Sequence, residues 1–133
     1  MSAPLLITGA SGYLGRRLLA LALADPRWER VAGTVHRTPL PAGESLALDL
    51  ADPAAVEAGL DRLRPAAIIH AAAITAPWAN VLSDRDFWAT NVEGSAAIAA
   101  WAARRQARLV HVSSDAIWGG REAAYVESDV PAP

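Results

Sequence analysis

Short, wholly apolar runs alternate along the chain with amphipathic stretches. Leu5-Leu6-Ile7 ends near Gly9 and predicts a buried strand. Leu14, Leu18 and Leu21 then recur at helical spacing, and Asp25-Pro26 stops the helix they predict. Val31 to Val35 predicts a second strand and Ser45 to Leu48 a short third. Asp52-Pro53 pairs an N-cap with proline at the first helical position, which opens a helix reaching about Arg64 before Pro65 ends it. Ala66 to His70 is a fourth strand. A long helical region follows, with Phe87, Val92 and Ile98 among its apolar residues and Arg104-Arg105 near its C-terminal end, where positive charge suits the helix dipole. Leu109 to Val112 is a fifth strand, and beyond Ser113 the chain becomes loop-like.

Strands that are apolar throughout, alternating with helices, predict an α/β domain whose parallel sheet is covered on both faces. Residues 1–118 form that domain in this reading, and 119–133 form a loop leading away from it. A length of 133 residues suits one domain with a real core. The 53% hydrophobic and 20% charged content excludes a disordered tail, and a net charge of -2 gives nucleic acid no global reason to bind. No cysteine is present, so disulfides, thiolate metal sites and cysteine nucleophiles are all excluded. His36, His70 and His111 form no recognisable metal pair, and no metal is expected. The apolar run from Ala66 to Trp78 is interrupted and too short to span a bilayer, and no secretory address precedes it, so a cytoplasmic location is expected.

Candidate chemistry begins at Thr8-Gly9-Ala10-Ser11-Gly12-Tyr13-Leu14-Gly15, between the first strand and the first helix. Gly9 permits a tight turn, Gly12 lets a pyrophosphate approach the backbone, and Gly15 lets helix pack closely on strand. Free N–H groups at the helix start would hold the phosphates. No lysine follows the glycines, so an ATP-hydrolysing P-loop is not supported. About twenty positions further on, where NAD sites place a carboxylate, the chain reads Thr34-Val35-His36-Arg37. Arg37 would pair with the 2′-phosphate of NADP, so NADP(H) is preferred and NAD(H) stays open; a solvated loop arginine is the alternative.

TGASGYLG resembles the TGxxGxxG motif of the short-chain dehydrogenase/reductase superfamily, especially its extended branch acting on nucleotide sugars. The resemblance runs in order along nearly the whole chain. Asp49-Leu50 falls where that family brackets the adenine. His70-Ala71-Ala72-Ala73 looks like the motif whose small residues let the cofactor lie against the backbone. Asn91-Val92-Glu93-Gly94 is similar to the segment carrying the structural and catalytic asparagine, and Val112-Ser113-Ser114-Asp115 to the one presenting the catalytic hydroxyl. The resemblance implies a Rossmann-like doubly wound parallel sheet of order 3-2-1-4-5, ending here after the fifth strand. It also implies a cofactor site including Gly9, Ser11, Gly12, Tyr13, Leu14, Gly15 and Ser113.

Ser113 to Gly120, followed by Tyr125, Glu127, Asp129 and Pro131, resembles dTDP-4-dehydrorhamnose reductases. By that match Ser114 takes the catalytic hydroxyl position and polarises the C4 carbonyl of a nucleotide-linked 4-keto-deoxysugar, beside Asp115. A hydroxyl capping a strand end and a turn-forming aspartate are the plainer alternatives for these two residues. Ala116 follows Asp115 and cannot transfer a proton, which speaks against a dehydratase. The chain departs from the reductases at Ala76-Pro77-Trp78-Ala79-Asn80, and Trp78 and Trp118 are read as packing rather than stacking on a ligand ring.

The family's Tyr-x-x-x-Lys pair does not occur: the tyrosines are Tyr13 and Tyr125, and all twelve basic residues are arginine. The chain is therefore read as the cofactor-binding N-terminal half of a longer oxidoreductase, inactive alone. Its expected partners are the nucleotide-sugar substrate and either a second copy or the remainder of the polypeptide. Two other functions stay open: a non-catalytic NADP-binding regulator like the regulatory subunit of methionine adenosyltransferase, and a nucleotide-sugar epimerase.

Overall fold

The structure, a computed structural model, describes residues 3–36, 38–75, 81–120 and 124–132. Five strands, β1 (Leu5–Thr8), β2 (Val31–Val35), β3 (Glu44–Ala47), β4 (Ala67–His70) and β5 (Arg108–His111), form one sheet of order β3-β2-β1-β4-β5. Every pairing is parallel. This is the Rossmann-like arrangement expected from the sequence. The observed β3, β4 and β5 each lie within one residue of their predicted bounds.

Helices α1 (Tyr13–Ala24), α2 (Pro53–Leu63), α3 (Asp84–Trp88) and α4 (Gly94–Arg105) connect the strands. Local chemistry sets the ends of α2. The Asp52 side chain accepts from the N–H groups of Ala54 and Ala55, and Arg64 closes the helix in the left-handed region at φ 52° ahead of Pro65. Among the described residues, no helix is long and apolar enough to cross a membrane.

The core has two layers. On one face of the sheet Leu6, Ala32, Leu46 and Ile68 pack against Val56 and Leu60 of α2 and Ile98 and Trp101 of α4. Full burial of such side chains stabilises the fold by about 1.5–3 kcal/mol each. The Trp101 indole N–H reaches Asp61 Oδ1 at 2.9 Å, and Arg105 reaches the same oxygen at 2.7 Å. On the other face Leu5, Ile7 and Val31 pack against Leu19 and Ala22 of α1.

The structure refines three sequence expectations. The buried stripe of α1 is Gly15, Leu19 and Ala22, while Leu14 and Leu21 are exposed. The glycine turn draws the start of the helix so close that Gly15 must face it, and of the leucine repeat Leu18 alone packs, half-buried, against the second core layer. Both sheet faces are covered as expected, but on the α1 side the cover stops short of β5. Register places Val110 beside Ile69 on the α1 side, yet α1 lies over β1 and β2, and Val110 is 51% exposed. Finally, the long helix expected after β4 is broken. A π-helical turn, Ala89–Glu93, separates α3 from α4, and Val92 is exposed on it. Gly94 explains the break, because a Cβ there would sit 2.4 Å from the Leu50 carbonyl oxygen. The helix start is pressed against the β3–α2 turn, and an extra residue in the preceding turn absorbs the misfit.

Candidate functional site

The C-terminal ends of β1, β2 and β4 open onto a cleft of about 230 Å³. Its floor is the turn from β1 into α1. Gly9 has φ +68°, and a Cβ on it would lie 2.8 Å from Ala72 Cα, so no side chain fits between the first and fourth strand ends. Gly12 N–H closes the turn on Gly9 O at 2.9 Å, and Gly9 N–H donates to Thr34 Oγ1 at 3.1 Å. A Cβ on Gly15 would come within 2.0 Å of the Gly9 carbonyl oxygen. The three glycines therefore hold three backbones in contact. The N-cap of α1 is Gly12, with no side-chain acceptor. First-turn N–H groups have no partner within a helix, so this end can take an anion.

The residues predicted for the cofactor fall into three groups. Gly9, Ser11, Asp49, Leu50, Ala72 and Ala73 line the cleft together. Asp49 also accepts from Ala51 N–H at 2.9 Å, while Leu50 is buried beneath the turn. Ala71 stands at the start of the same wall. Tyr13 and Leu14 are placed differently: both side chains are exposed and border a separate hollow with Arg16 and Arg17, leaving only their backbone to face the turn. Arg37 lies outside the described residues, as does Trp78.

The predicted catalytic residues are not gathered in that cleft. Ser113, Ser114 and Asp115 follow β5 and are exposed. The Ser114 hydroxyl donates to Asp115 Oδ1 and accepts from Ala116 N–H, both at 3.2 Å, capping the short 3₁₀ turn Asp115–Ile117. Asn91 sits on the π-helical turn. Its Oδ1 accepts from Ile74 N–H and its Nδ2 donates to Ile74 O, both at 2.8 Å. Trp118 stacks on Tyr125 with ring centroids 4.8 Å apart, so its partner is a protein ring.

Sequence reasoning missed five lining residues: Thr34, His36, Leu48, Ile74 and Thr90. His36 could have been found, since it directly follows β2 where a ribose-binding residue is expected. Thr90 could not, because the π-helical turn that aims it at the cleft has no sequence signal.

These cradle features fit a dinucleotide: glycine backbone without side chains, an uncapped helix start, and a wall of alanines. The cleft is smaller than the roughly 300–1,000 Å³ of common ligand pockets, so it suits one end of such a molecule. Residues 3–133 match the family described as RmlD substrate binding domain. The chain belongs to that family.

Within the RmlD substrate-binding family, the chain is 34% identical over 132 residues to dTDP-4-dehydrorhamnose reductase of Aggregatibacter actinomycetemcomitans, covering 98% of this chain and 42% of the relative. It is 36% identical to methionine adenosyltransferase 2 subunit beta of Xenopus tropicalis, covering 96% of this chain and 37% of that protein. A crystal structure described as a hypothetical dTDP-4-dehydrorhamnose reductase from Sulfolobus tokodaii superposes with a TM-score of 0.85 at 30% identity, over 98% of this chain and 46% of that one. The chain thus spans less than half the length of these relatives.

Proposed function

We propose that this chain is the dinucleotide-binding part of an NAD(P)H-dependent reductase of a nucleotide-linked 4-keto-deoxysugar, with NADP(H) preferred. The observation that carries the reading is the glycine turn, where a Cβ on Gly9 or Gly15 would collide with neighbouring backbone, so that main chain comes close to the cleft. The likeness to a dTDP-4-dehydrorhamnose reductase supports the substrate class.

On this reading N–H groups of the turn and the start of α1, other than those of Gly9 and Gly12, hold the diphosphate, and Asp49 and Leu50 flank the adenine. Ala71, Ala72 and Ala73 give a flat wall, and Arg37 meets the 2′-phosphate near His36. The bound nicotinamide supplies a hydride equivalent to C4 of the sugar. Ser114 turns its hydroxyl from Asp115 to the substrate carbonyl oxygen and stabilises the charge developing there. Asp115 stands beside the sugar site, Ser113 borders the cofactor, and Asn91 keeps the Ile74 loop in place. Residues 1–118 act as the cofactor unit and 119–133 lead on from it. The proton donor comes from outside these 133 residues, because no Tyr-x-x-x-Lys pair occurs in them. The protein works in the cytoplasm, with a second copy or further chain completing the substrate pocket.

Fluorescence titration with NADPH and NADH, on wild type and Arg37→Ala, tests this. The expected outcome is tighter NADPH binding that weakens about tenfold or more on losing the charged hydrogen bonds, with NADH unaffected. Uptake of neither nucleotide defeats the reading. A second reading, a nucleotide-binding regulator without turnover, is favoured by the likeness to the methionine adenosyltransferase subunit. Steady NADPH oxidation with a 4-keto sugar nucleotide, in a form of the protein that supplies the Tyr-x-x-x-Lys pair, separates the enzyme from that regulator.

A further inference from the structure

His70 ends β4 with its ring almost wholly buried, at 1% exposure, and both ring nitrogens are engaged. Nδ1 lies 2.6 Å from Thr8 Oγ1, and Nε2 lies 2.8 Å from Ser95 Oγ. The neighbours fix the protons. The Ser95 hydroxyl donates to the backbone oxygen of Asn91 at 2.6 Å, so toward the ring it accepts, and Nε2 carries the ring proton. Thr8 Oγ1 accepts from Ala72 N–H at 3.2 Å, which leaves the Thr8 hydroxyl proton for Nδ1. One assignment satisfies the whole chain, directed from Thr8 through His70 and Ser95 to Asn91.

Each end of this chain holds part of the cleft. Ala72 is held by Thr8 beside the glycine turn. Ile74 is clamped through both its N–H and its C=O by Asn91. Ala72 and Ile74 both line the cleft. Among the described residues, the side-chain hydrogen bonds that join the strand end at Thr8 to the helix start at Ser95 run through the His70 ring.

We propose that His70 is a positioning residue. Its Nε2–H tautomer ties the strand beneath the glycine turn to the start of α4, and so sets the spacing of Ala72 and Ile74 against which the nucleotide rests. This rests on the dinucleotide reading above. A doubly protonated ring cannot serve, because Nδ1–H would confront the Thr8 hydroxyl proton and force it to turn away. Burial, with His111 of β5 at a ring-centroid distance of 5.1 Å, holds the His70 pKa down to about 4. His111 is the titratable group facing the ring; Thr8 of β1, Ser95 of α4 and Asn91 before it carry no charge.

The test combines imidazole ¹⁵N–¹H correlation spectra of the full chain with NADPH titration of Ser95→Ala and Ser95→Thr. His70 is expected to show a protonated Nε2 and a bare Nδ1, unchanged from pH 8 to pH 5.5. Ser95→Ala is expected to weaken NADPH about tenfold and to speed hydrogen exchange of the Asn91 side-chain amide by a similar factor. Ser95→Thr, which restores the hydroxyl, should return both to within about twofold; a role in packing alone would show no such rescue. A His70 protonated at Nδ1, or titrating inside that window, overturns the proposal. So does a folded Ser95→Ala that binds NADPH as wild type does. If Ser95→Ala does not fold, the wild-type tautomer decides. If wild type takes up no NADPH, the nucleotide reading fails, and the tautomer and the Asn91 exchange rate still judge the His70 chain by themselves.

Discussion

Substituting alanine at Gly15 asks how far the fold depends on the glycine turn. The added Cβ would lie 2.0 Å from the Gly9 carbonyl oxygen, 2.6 Å from its carbon and 2.8 Å from Ala10 Cα. All three are backbone atoms, so no side chain can swing away. Reaching an ordinary contact near 3.4 Å requires the start of α1 to retreat by about 1.4 Å. That movement loosens Leu19 and Ala22 against the sheet. Overpacking of this kind costs about 1–3 kcal/mol, here at the upper end because backbone must move. Alanine regains about 1 kcal/mol in helix propensity. The balance is a loss of about 2 kcal/mol, or a melting temperature lower by roughly 6–10 °C for a chain of this size. Gly12→Ala is the comparator. Its Cβ meets only Gly9 O, at 3.2 Å, so the stability loss should stay under about 1 kcal/mol. The methyl nevertheless covers backbone that the diphosphate needs, and NADPH affinity should fall about tenfold. Circular dichroism melts and fluorescence titration on both variants provide the readout. A Gly15→Ala chain that melts with wild type, or a Gly12→Ala chain less stable than Gly15→Ala, refutes the packing argument.

Three further outcomes are expected. Leu60→Ala empties a fully buried position on α2 and should cost about 2–5 kcal/mol, while Val110→Thr, on the uncovered sheet face, should stay within about 0.5 kcal/mol; chemical denaturation measures both. His70 has a pKa lowered to about 4, so between that value and its ordinary 6.5 the unfolded chain binds the extra proton. Stability should therefore fall as pH drops through that window, by an amount on the order of 2–3 kcal/mol, and His70→Phe should flatten the slope in pH-dependent melts. Asp61 is held below the usual carboxylate range chiefly by the Trp101 indole N–H and then by Arg105. Its contribution is present above its unfolded pKa and lost as pH falls below it, so Trp101→Phe should reduce the acid sensitivity of the melt.

The sequence was legible where the determinants are local. Asp52-Pro53 named the start of α2 because cap and first turn lie within three residues. Apolar runs named the five strands, and the glycine spacing named the turn beneath the cleft. Legibility failed where distant backbone decided the matter. The leucine repeat of α1 lost to Gly15, Leu19 and Ala22 because Gly9 and Ala10 press on the helix from outside its own sequence. The π-helical turn arises from Gly94 meeting Leu50 and Asn91 meeting Ile74, contacts that no periodicity records. The sequence puts His70 at the end of the fourth strand and names no partner for it, because its partners are 62 and 25 positions away. Tyr13 and Leu14 belong to the motif by spelling, yet their side chains face solvent, since the motif constrains backbone at those positions.

The central claim is that the β1–α1 turn receives a dinucleotide diphosphate on main-chain amides. Backbone amide ¹H–¹⁵N spectra of the chain, recorded while NADPH is added, examine it most directly. The account predicts saturable shifts concentrated at Gly9 to Gly15 and at Ala72 to Ile74, with the far end of α2 silent. Saturating NADPH that leaves those amides unmoved, or shifts centred on another hollow, lined by Ala51, Arg85, Trp88 and Glu93, would contradict it.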